Sequence, residues 1–205
     1  MSEPAPHPPR RERERLRHRQ EILDAALRVC ATRGVEGVTV EHVAREAEFA
    51  VGSIYRHFRS KDELLKELVA VLADRYFQEL DALVCGPLPY PEKLQAAVNL
   101  LYDRHVESLP LIAALYAAPG PMPAPGTPGA EELRALRQRQ WAILDKLLAE
   151  GQALGGLAPG NRAPMVLALT GLVTSFARAE GSGLDYGGDP AADVLAIFLS
   201  GCSTS

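Results

Sequence analysis

Two short helical patterns lie between residues 39 and 61, and the corner that joins them is too short for an ordinary loop. This stretch constrains the fold more than any other part of the chain. Thr39 stands ahead of the first pattern, where an N-cap hydroxyl would accept a free backbone N–H group. The first pattern has the i, i+3, i+4, i+7 spacing of one apolar helix face. That face consists of Val40, Val43, Ala44 and Ala47.

The second pattern predicts a helix with one buried and one exposed side. Ile54 and Phe58 fall four residues apart and are expected to point inward together. The opposite face mixes small side chains, which allow close approach to a surface, with a phenol, a guanidinium and an imidazole that can bond to phosphates or base edges. This helix-turn-helix arrangement predicts DNA binding. The candidate DNA-binding residues are Val51, Gly52, Ser53, Tyr55, Arg56 and His57, with Thr39 and Lys61 as phosphate contacts.

These residues resemble the DNA-binding domain of the TetR family of bacterial transcriptional regulators. The most specific part is Tyr55-x-His57-Phe58, followed three residues later by Lys61. The resemblance is dense over about residues 20–72, whereas the rest of the chain agrees only in length and helical character.

The corner departs from the family pattern. Where the family usually has Gly-Val-Ser, this chain has Glu48, Phe49 and Ala50. The turn glycine and the hydroxyl that would cap the second helix are therefore both replaced. A glutamate near a DNA-facing corner also repels phosphate.

The resemblance implies a ligand-responsive regulator. TetR-like proteins dimerise through their last two long helices, which here correspond to about 163–181 and 190–200. A dimer spaces two reading helices for the half-sites of a palindromic operator. We therefore expect a repressor that binds double-stranded DNA as a homodimer and is released by a small apolar or amphipathic effector, whose identity the sequence leaves unknown.

Charge is unevenly distributed along the 205 residues, whose net charge is −4. Residues 1–66 carry 13 Lys and Arg against 11 Asp and Glu, whereas residues 67–205 carry 9 against 15. A basic head on an acidic body agrees in sign with DNA binding by the head. The arginines concentrate between Arg10 and Arg19, next to a predicted flexible arm at 1–14. This stretch is interpreted either as a solvated, partly helical segment or as an arm that reaches a phosphate or the minor groove.

The whole chain predicts an all-α fold of about nine helices. A helix-turn-helix DNA-binding domain is expected over 15–66 and a helical ligand-binding and dimerisation domain over 67–205. Besides the two helices above, the expected helices run from Glu12 or Arg15 to Arg33, from Ser60 to about Leu83, and over 91–108, 110–118, 131–154, 163–179 and 191–199, with a Pro- and Gly-rich insert at 119–129.

The helices predicted over 163–179 and 191–199 are almost wholly apolar. Burying both on all sides inside one small body is difficult, and a subunit interface would solve this. The second domain also has the composition of a receptor for an apolar ligand. Candidate lining residues, each of which is alternatively an ordinary core residue, are Tyr102, His105, Leu115, Tyr116, Trp141, Met165, Leu169 and Phe176.

Two other function classes are alternatives to a ligand-responsive regulator. A helical enzyme with an accessory helix-turn-helix is disfavoured because no catalytic or phosphate-loop motif is present. A helical architectural protein that binds DNA without a ligand or sequence preference stays open. Cys30, Cys85 and Cys202 lack disulfide-framework and zinc spacing, so we expect a reducing compartment, no metal and no cofactor. No apolar leader or membrane segment is recognised, and a cytoplasmic, nucleoid-associated bacterial protein is expected.

Overall fold

The computed structural model describes residues 9–34, 37–116, 130–184 and 187–203, with the backbone alone described over 108–116. The secondary structure in these ranges is helical, except for turns and an isolated bridge between Leu157 and Ser203. The all-α prediction is confirmed. The helices are α1 (Arg10–Arg33), α2 (Val40–Glu46), α3 (Val51–His57), α4 (Lys61–Cys85), α5 (Tyr90–Tyr116), α6 (Ala130–Ala153), α7 (Arg162–Gly181) and α8 (Pro190–Cys202).

The chain divides into two compact units, Met1–Val71 and Leu72–Ser205, so that α4 begins in the first unit and ends in the second. In the first unit, α1 packs on α2 and α3. Helix α1 begins at Arg10, earlier than predicted, so residues 10–14 are helical instead of belonging to the arm. The largest fully buried side chains of this unit are Ile22, Ile54, Phe58, Leu64 and Leu68, which include the two predicted inward residues of α3.

The corner between α2 and α3 uses an unusual backbone conformation. Glu48 has φ 58°, in the left-handed region that glycine normally occupies. Ala50 precedes α3 and offers no side-chain cap. By contrast, Thr39 caps α2 as predicted, because its Oγ1 accepts the backbone N–H of His42 at 3.2 Å. The two replacements at the corner therefore leave α3 without the local support that α2 has.

The beginning of α4 is well supported. Ser60 Oγ accepts the backbone N–H of Glu63 at 3.1 Å, and the Glu63 carboxylate accepts the backbone N–H of Arg59 at 2.8 Å. This is close to the predicted capping box, in which the glutamate reaches back to the N-cap residue itself.

One helix boundary was predicted wrongly. The helices expected over 91–108 and 110–118 are a single helix, α5, whose backbone continues through Pro110 to Tyr116. Proline removes one backbone donor, and the hydrogen bonds on either side of it sustain the helix. For this reason the described residues contain eight helices and not about nine. The predicted insert at 119–129 lies outside the described residues.

The second unit is a helical bundle in which α5 packs on α6, α7 and α8, and α7 packs on α6 and α8. Lys93 is buried in the interior and donates to both carboxylate oxygens of Glu150, at 2.9 and 2.8 Å. A buried ammonium requires such a partner. Gly151 lets the ring of Tyr90 approach α6, since a Cβ at this position would lie 2.1 Å from Tyr90 Oη. Within the described ranges, no helix is both long and apolar enough to cross a bilayer.

Candidate nucleic-acid interface

Helix α3 separates its buried and exposed residues as the sequence predicted. Ile54 is 1% exposed, whereas Tyr55 on the opposite side is 50% exposed and Arg56 is also exposed. Val51 and Gly52 are exposed at the first turn. The structure therefore brings most of the predicted DNA-binding residues together on one accessible face.

Two features of this face bear on DNA binding, the orientation of Arg56 and the open space at Gly52. Arg56 Nη2 donates to Ser53 Oγ at 2.7 Å, which orders the guanidinium along the helix. Gly52 lies inside α3 with no atom within 4 Å of the position that a Cβ would occupy. Packing within the described protein does not require glycine here, although glycine weakens a helix by about 0.5–1 kcal/mol relative to alanine.

His57 is only half exposed and contacts α1 as well as the outer face. Its ring stands edge-to-face against His18 at 5.9 Å between centroids, and His18 packs in the same way on Phe49 at 5.3 Å. Nδ1 of His57 is buried without a hydrogen-bond partner among the described residues. Burial, followed by the nearby His18 and by cationic arginines, lowers the pKa of His57. This histidine therefore lies at the edge of the face, in surroundings that favour its neutral form.

The two predicted phosphate contacts flank α3. Thr39 is half-buried, and its Oγ1 accepts the cap hydrogen bond of α2. Its hydroxyl proton can still be donated to an acceptor in solvent. Lys61 is exposed in the first turn of α4, where free backbone N–H groups also attract phosphate.

The position of Arg19 was not predicted. Arg19 belongs to the arginine-rich stretch interpreted as solvated or as reaching DNA, but its side chain points inward, is 22% exposed, and bonds to the His57 carbonyl and the Glu67 carboxylate. The signal was available, because Arg19 lies three and four residues before Ile22 and Leu23 on the buried stripe of α1. The other end of the arginine-rich stretch is solvated, and Arg10 there pairs with Glu14 across an exposed helical turn.

The candidate ligand residues whose side chains the structure describes lie in different parts of the second unit. The Tyr102 hydroxyl donates to Glu180, and Nδ1 of His105 lies 2.8 Å from the carbonyl oxygen of Leu101. Burial lowers the pKa of His105, with a smaller contribution from the charge of Arg137. Both side chains thus behave as satisfied interior groups.

The other ligand candidates are spread over core and surface. Leu169 is fully buried in the core, and Phe176 packs on that core at its edge. Trp141 is 37% exposed on α6, whose buried positions are mostly leucine and isoleucine, and its role as a lining residue stays a prediction. The side chains of Leu115 and Tyr116 lie outside the described residues.

Met165 instead lines a shallow apolar groove between α7 and α8, together with Leu172, Gly171 and Phe198. Two large hydrophobic side chains at this groove are exposed, Leu167 at 64% and Ile197 at 48%. The predicted apolar helices are therefore not fully covered within one chain.

A short capped helix, a tight corner and a second helix with an exposed polar face define a helix-turn-helix protein of the DNA-binding class. A sequence profile for "Bacterial regulatory proteins, tetR family" matches residues 22–68, which contain all of α2 and α3. Over its helix-turn-helix region the chain is therefore similar to regulators of the TetR family.

Curated relatives carry the names of transcriptional repressors. Repressor KstR2 of Rhodococcus jostii is 33% identical over 85 residues, covering 42% of each chain. Repressor KstR of Mycolicibacterium smegmatis is 38% identical over 99 residues, covering 46% of each. The chain thus matches less than half the length of these relatives. Their names agree with the prediction of a transcriptional regulator.

Solved structures extend the similarity in fold to almost the whole chain. A transcriptional regulator from Saccharomonospora viridis in complex with choline superimposes with a TM-score of 0.75 at 17% identity, covering 93% of this chain and all of the other. FadR from Bacillus subtilis in complex with stearoyl-CoA gives 0.64 at 20% identity, covering 89% and 98%. These structures confirm the predicted architecture of a helix-turn-helix head followed by a helical domain.

Proposed function

We propose that the protein is a ligand-responsive transcriptional repressor that binds a palindromic operator as a homodimer. The observation that carries this proposal is the outer face of α3, where Tyr55 and Arg56 are exposed beside Gly52. Glycine costs helix stability in a position with open space around it. A glycine at this position would allow the helix backbone to approach a DNA groove closely.

On DNA, the residues of α3 and its flanks would make different contacts, according to their chemistry. Arg56 has the planar donor fork that matches a guanine edge, and Tyr55 can contact a phosphate or a thymine methyl group. Ser53 lies in hydrogen-bond contact with Arg56 and would orient it. Lys61 and Thr39 would hold phosphates on either side of the groove and fix the register of the helix.

The homodimer is proposed to form through α7 and α8, over the predicted ranges 163–181 and 190–200. The exposed Leu167 and Ile197 support this surface, because a second copy would remove both from water. Two-fold symmetry would present two copies of α3 to successive major-groove half-sites.

The effector is proposed to bind in the second unit and to be small and apolar or amphipathic. The ligands named with the two structural relatives, choline and stearoyl-CoA, support a small-molecule receptor of this fold without choosing the compound. Since α4 continues from the first unit into the second, effector binding could alter α3 through α4. A coupling of about 1–3 kcal/mol would be typical. The protein would act in the bacterial cytoplasm, on nucleoid DNA.

The test begins with duplexes selected from a random-sequence pool by the wild-type protein. Arg56→Ala and Tyr55→Ala should each lower affinity for the selected duplex, Arg56→Ala by about ten- to a hundredfold, and relax the preferred base at one position. Arg134→Ala is the matched control, because Arg134 is an exposed arginine of the second unit.

Unchanged affinity in both α3 variants would refute the reading face. If the wild-type protein recovered no preferred sequence while its binding fell steeply with salt, the architectural alternative would replace the proposal.

A further inference from the structure

Arg19 joins three helices of the first unit at one point. From α1, its Nη1 donates to the backbone carbonyl of His57, the last residue of α3. Its Nε donates to Glu67 on α4 at 2.9 Å, and its Nη2 bonds to the second oxygen of the same carboxylate. Nη2 also lies 3.5 Å from Glu63, and the guanidinium lies 4.2 Å from the ring centroid of Phe58.

These contacts leave Arg19 poorly suited to bind DNA. Each of its three side-chain nitrogens already has an acceptor within the first unit, and the side chain is 22% exposed. The hydrogen bonds to Glu67 raise the pKa of the guanidinium above its ordinary value. Bidentate pairing and a cation at the carbonyl end of a helix are both favourable arrangements.

We propose that Arg19 is a positioning residue for DNA recognition, which fixes the last turn of α3 against α4 without contacting DNA. The last turn carries Arg56 and His57, so a displaced turn would misalign Arg56 in the groove. The inference rests on the proposed function of α3. Arg19 also links α4 to α3, because it bonds to both the Glu67 carboxylate and the His57 carbonyl. A movement of Glu67 would therefore be transmitted through Arg19 to the end of α3.

A free-protein experiment tests the positioning without DNA. Amide hydrogen exchange in the segment 54–58 should become faster in Arg19→Gln, because the His57 carbonyl and the Phe58 ring lose their common partner. Arg28→Gln is the matched control, since Arg28 joins α1 to α2 through an ion pair with Glu46 at 2.7 Å that involves neither α3 nor α4. The control should leave exchange in this segment unchanged.

A second experiment uses the duplex selected by the wild-type protein. Arg19→Gln and Glu67→Gln should each weaken binding by about ten- to a hundredfold, and the double variant should lose little more than either single variant because the two residues act as one unit. Arg19→Lys should recover part of the loss, since an ammonium keeps the charge but not the planar fork. Arg28→Gln should bind like the wild type.

The salt dependence separates positioning from a phosphate contact. In Arg19→Gln the slope of log affinity against log salt should equal that of the wild type, whereas loss of one phosphate contact would reduce it by about 0.9. A reduced slope, additive losses in the double variant, or wild-type affinity in Arg19→Gln would overturn the proposal. So would a lower melting temperature with the affinity of the folded protein unchanged.

The proposed function fails separately, if the wild-type protein itself selects no sequence. Should Arg19→Gln not fold, Glu67→Gln and Arg19→Lys carry the same comparisons, because each keeps part of the contact.

Discussion

The two units differ in how their candidate sites are built. In the first unit, the predicted DNA-binding residues lie within one short helix and its two flanks, so the helical period alone places most of them on a common face. In the second unit, the predicted ligand residues come from α5, α6 and α7, and those whose side chains are described lie in the core, at its edge and on the surface. A surface site on one helix is thus fixed locally, whereas a cavity depends on the packing of several helices.

The largest effect on DNA affinity is expected from changes at the α7–α8 groove, because dimerisation of the second unit would set the affinity of the first. Introducing Leu167→Asp with Ile197→Asp should convert the dimer to a monomer, because two carboxylates would be buried without partners in the interface. Operator affinity should then fall by at least about a hundredfold, since each half-site would be bound alone. Analytical ultracentrifugation at micromolar concentration measures the first effect and fluorescence anisotropy with the selected duplex the second.

Leu154→Asp is the control for this double variant. Leu154 is 66% exposed in the same unit and does not line the groove, so its replacement should preserve the dimer. A double variant that still sediments as a dimer would contradict the proposed interface.

A smaller effect, with opposite signs for stability and binding, is expected at Gly52. Gly52→Ala should raise the free energy of unfolding by about 0.5–1 kcal/mol, because alanine favours the helix and has open space around its Cβ. The same variant should bind the selected duplex roughly tenfold more weakly, because the added methyl group separates the helix from the groove. Urea denaturation and anisotropy titration provide the two values, and equal or tighter DNA binding would exclude Gly52 from the contact.

The corner between α2 and α3 should respond in stability. Glu48→Gly should stabilise the protein by about 1 kcal/mol, because it removes the penalty of a left-handed conformation in a residue with a Cβ. Ala50→Ser should add a similar amount by capping α3. Glu41→Gly, at an exposed position inside α2, should instead destabilise by about 1 kcal/mol. Thermal or urea denaturation would contradict this account if Glu48→Gly and Glu41→Gly shifted stability in the same direction.

The smallest expected effect is a dependence on pH that both units share. The pKa values of His57 and His105 are lowered by burial, so the unfolded chain binds protons more readily than the folded protein. Their contribution to stability is complete above the ordinary histidine pKa of about 6.5 and is lost as the pH falls towards the folded values. Urea denaturation between about pH 7.5 and 5.5 should therefore show declining stability.

Replacing each histidine separately measures how much its unit contributes to the pH dependence of stability. His105→Gln in the second unit and His57→Gln in the first should each reduce the loss of stability at low pH. Around His57, the charged imidazole is also disfavoured by His18, Arg15, Arg19 and Arg56. If stability fell equally with pH in the wild type and in both variants, other titratable groups would be responsible for the loss.

The sequence predicted the helices well, whereas the ligand site of the second unit stays a prediction. Capping at Thr39, the apolar spacing around Ile54 and the beginning of α4 depend on neighbours within a few residues, and these predictions agree with the structure. The predicted break before Pro110 was wrong, because a proline signals a missing donor and not whether the flanking turns persist. The inward side of a long helix such as α6 depends on tertiary contacts that a single sequence does not contain.

Arg19 illustrates the same limit from the other direction. Charge and neighbourhood suggested a solvated arginine, whereas helical phase placed it on the buried stripe, and the partners that resolve the conflict lie 38 and 48 residues further along the chain. Polar residues inside an apolar stripe are therefore better candidates for long-range contacts than their charge alone indicates.

Trp141, exposed on α6, is the single tryptophan of the chain. The tryptophan emission of the protein therefore originates entirely in the second unit. Under the proposed function, unlabelled protein can therefore be titrated with compounds while it is bound to a dye-labelled selected duplex. Changes in indole emission would report on the second unit, and the anisotropy of the dye would report on DNA binding by the first. A single sample could thus report compound binding and DNA release together, without mutating the protein.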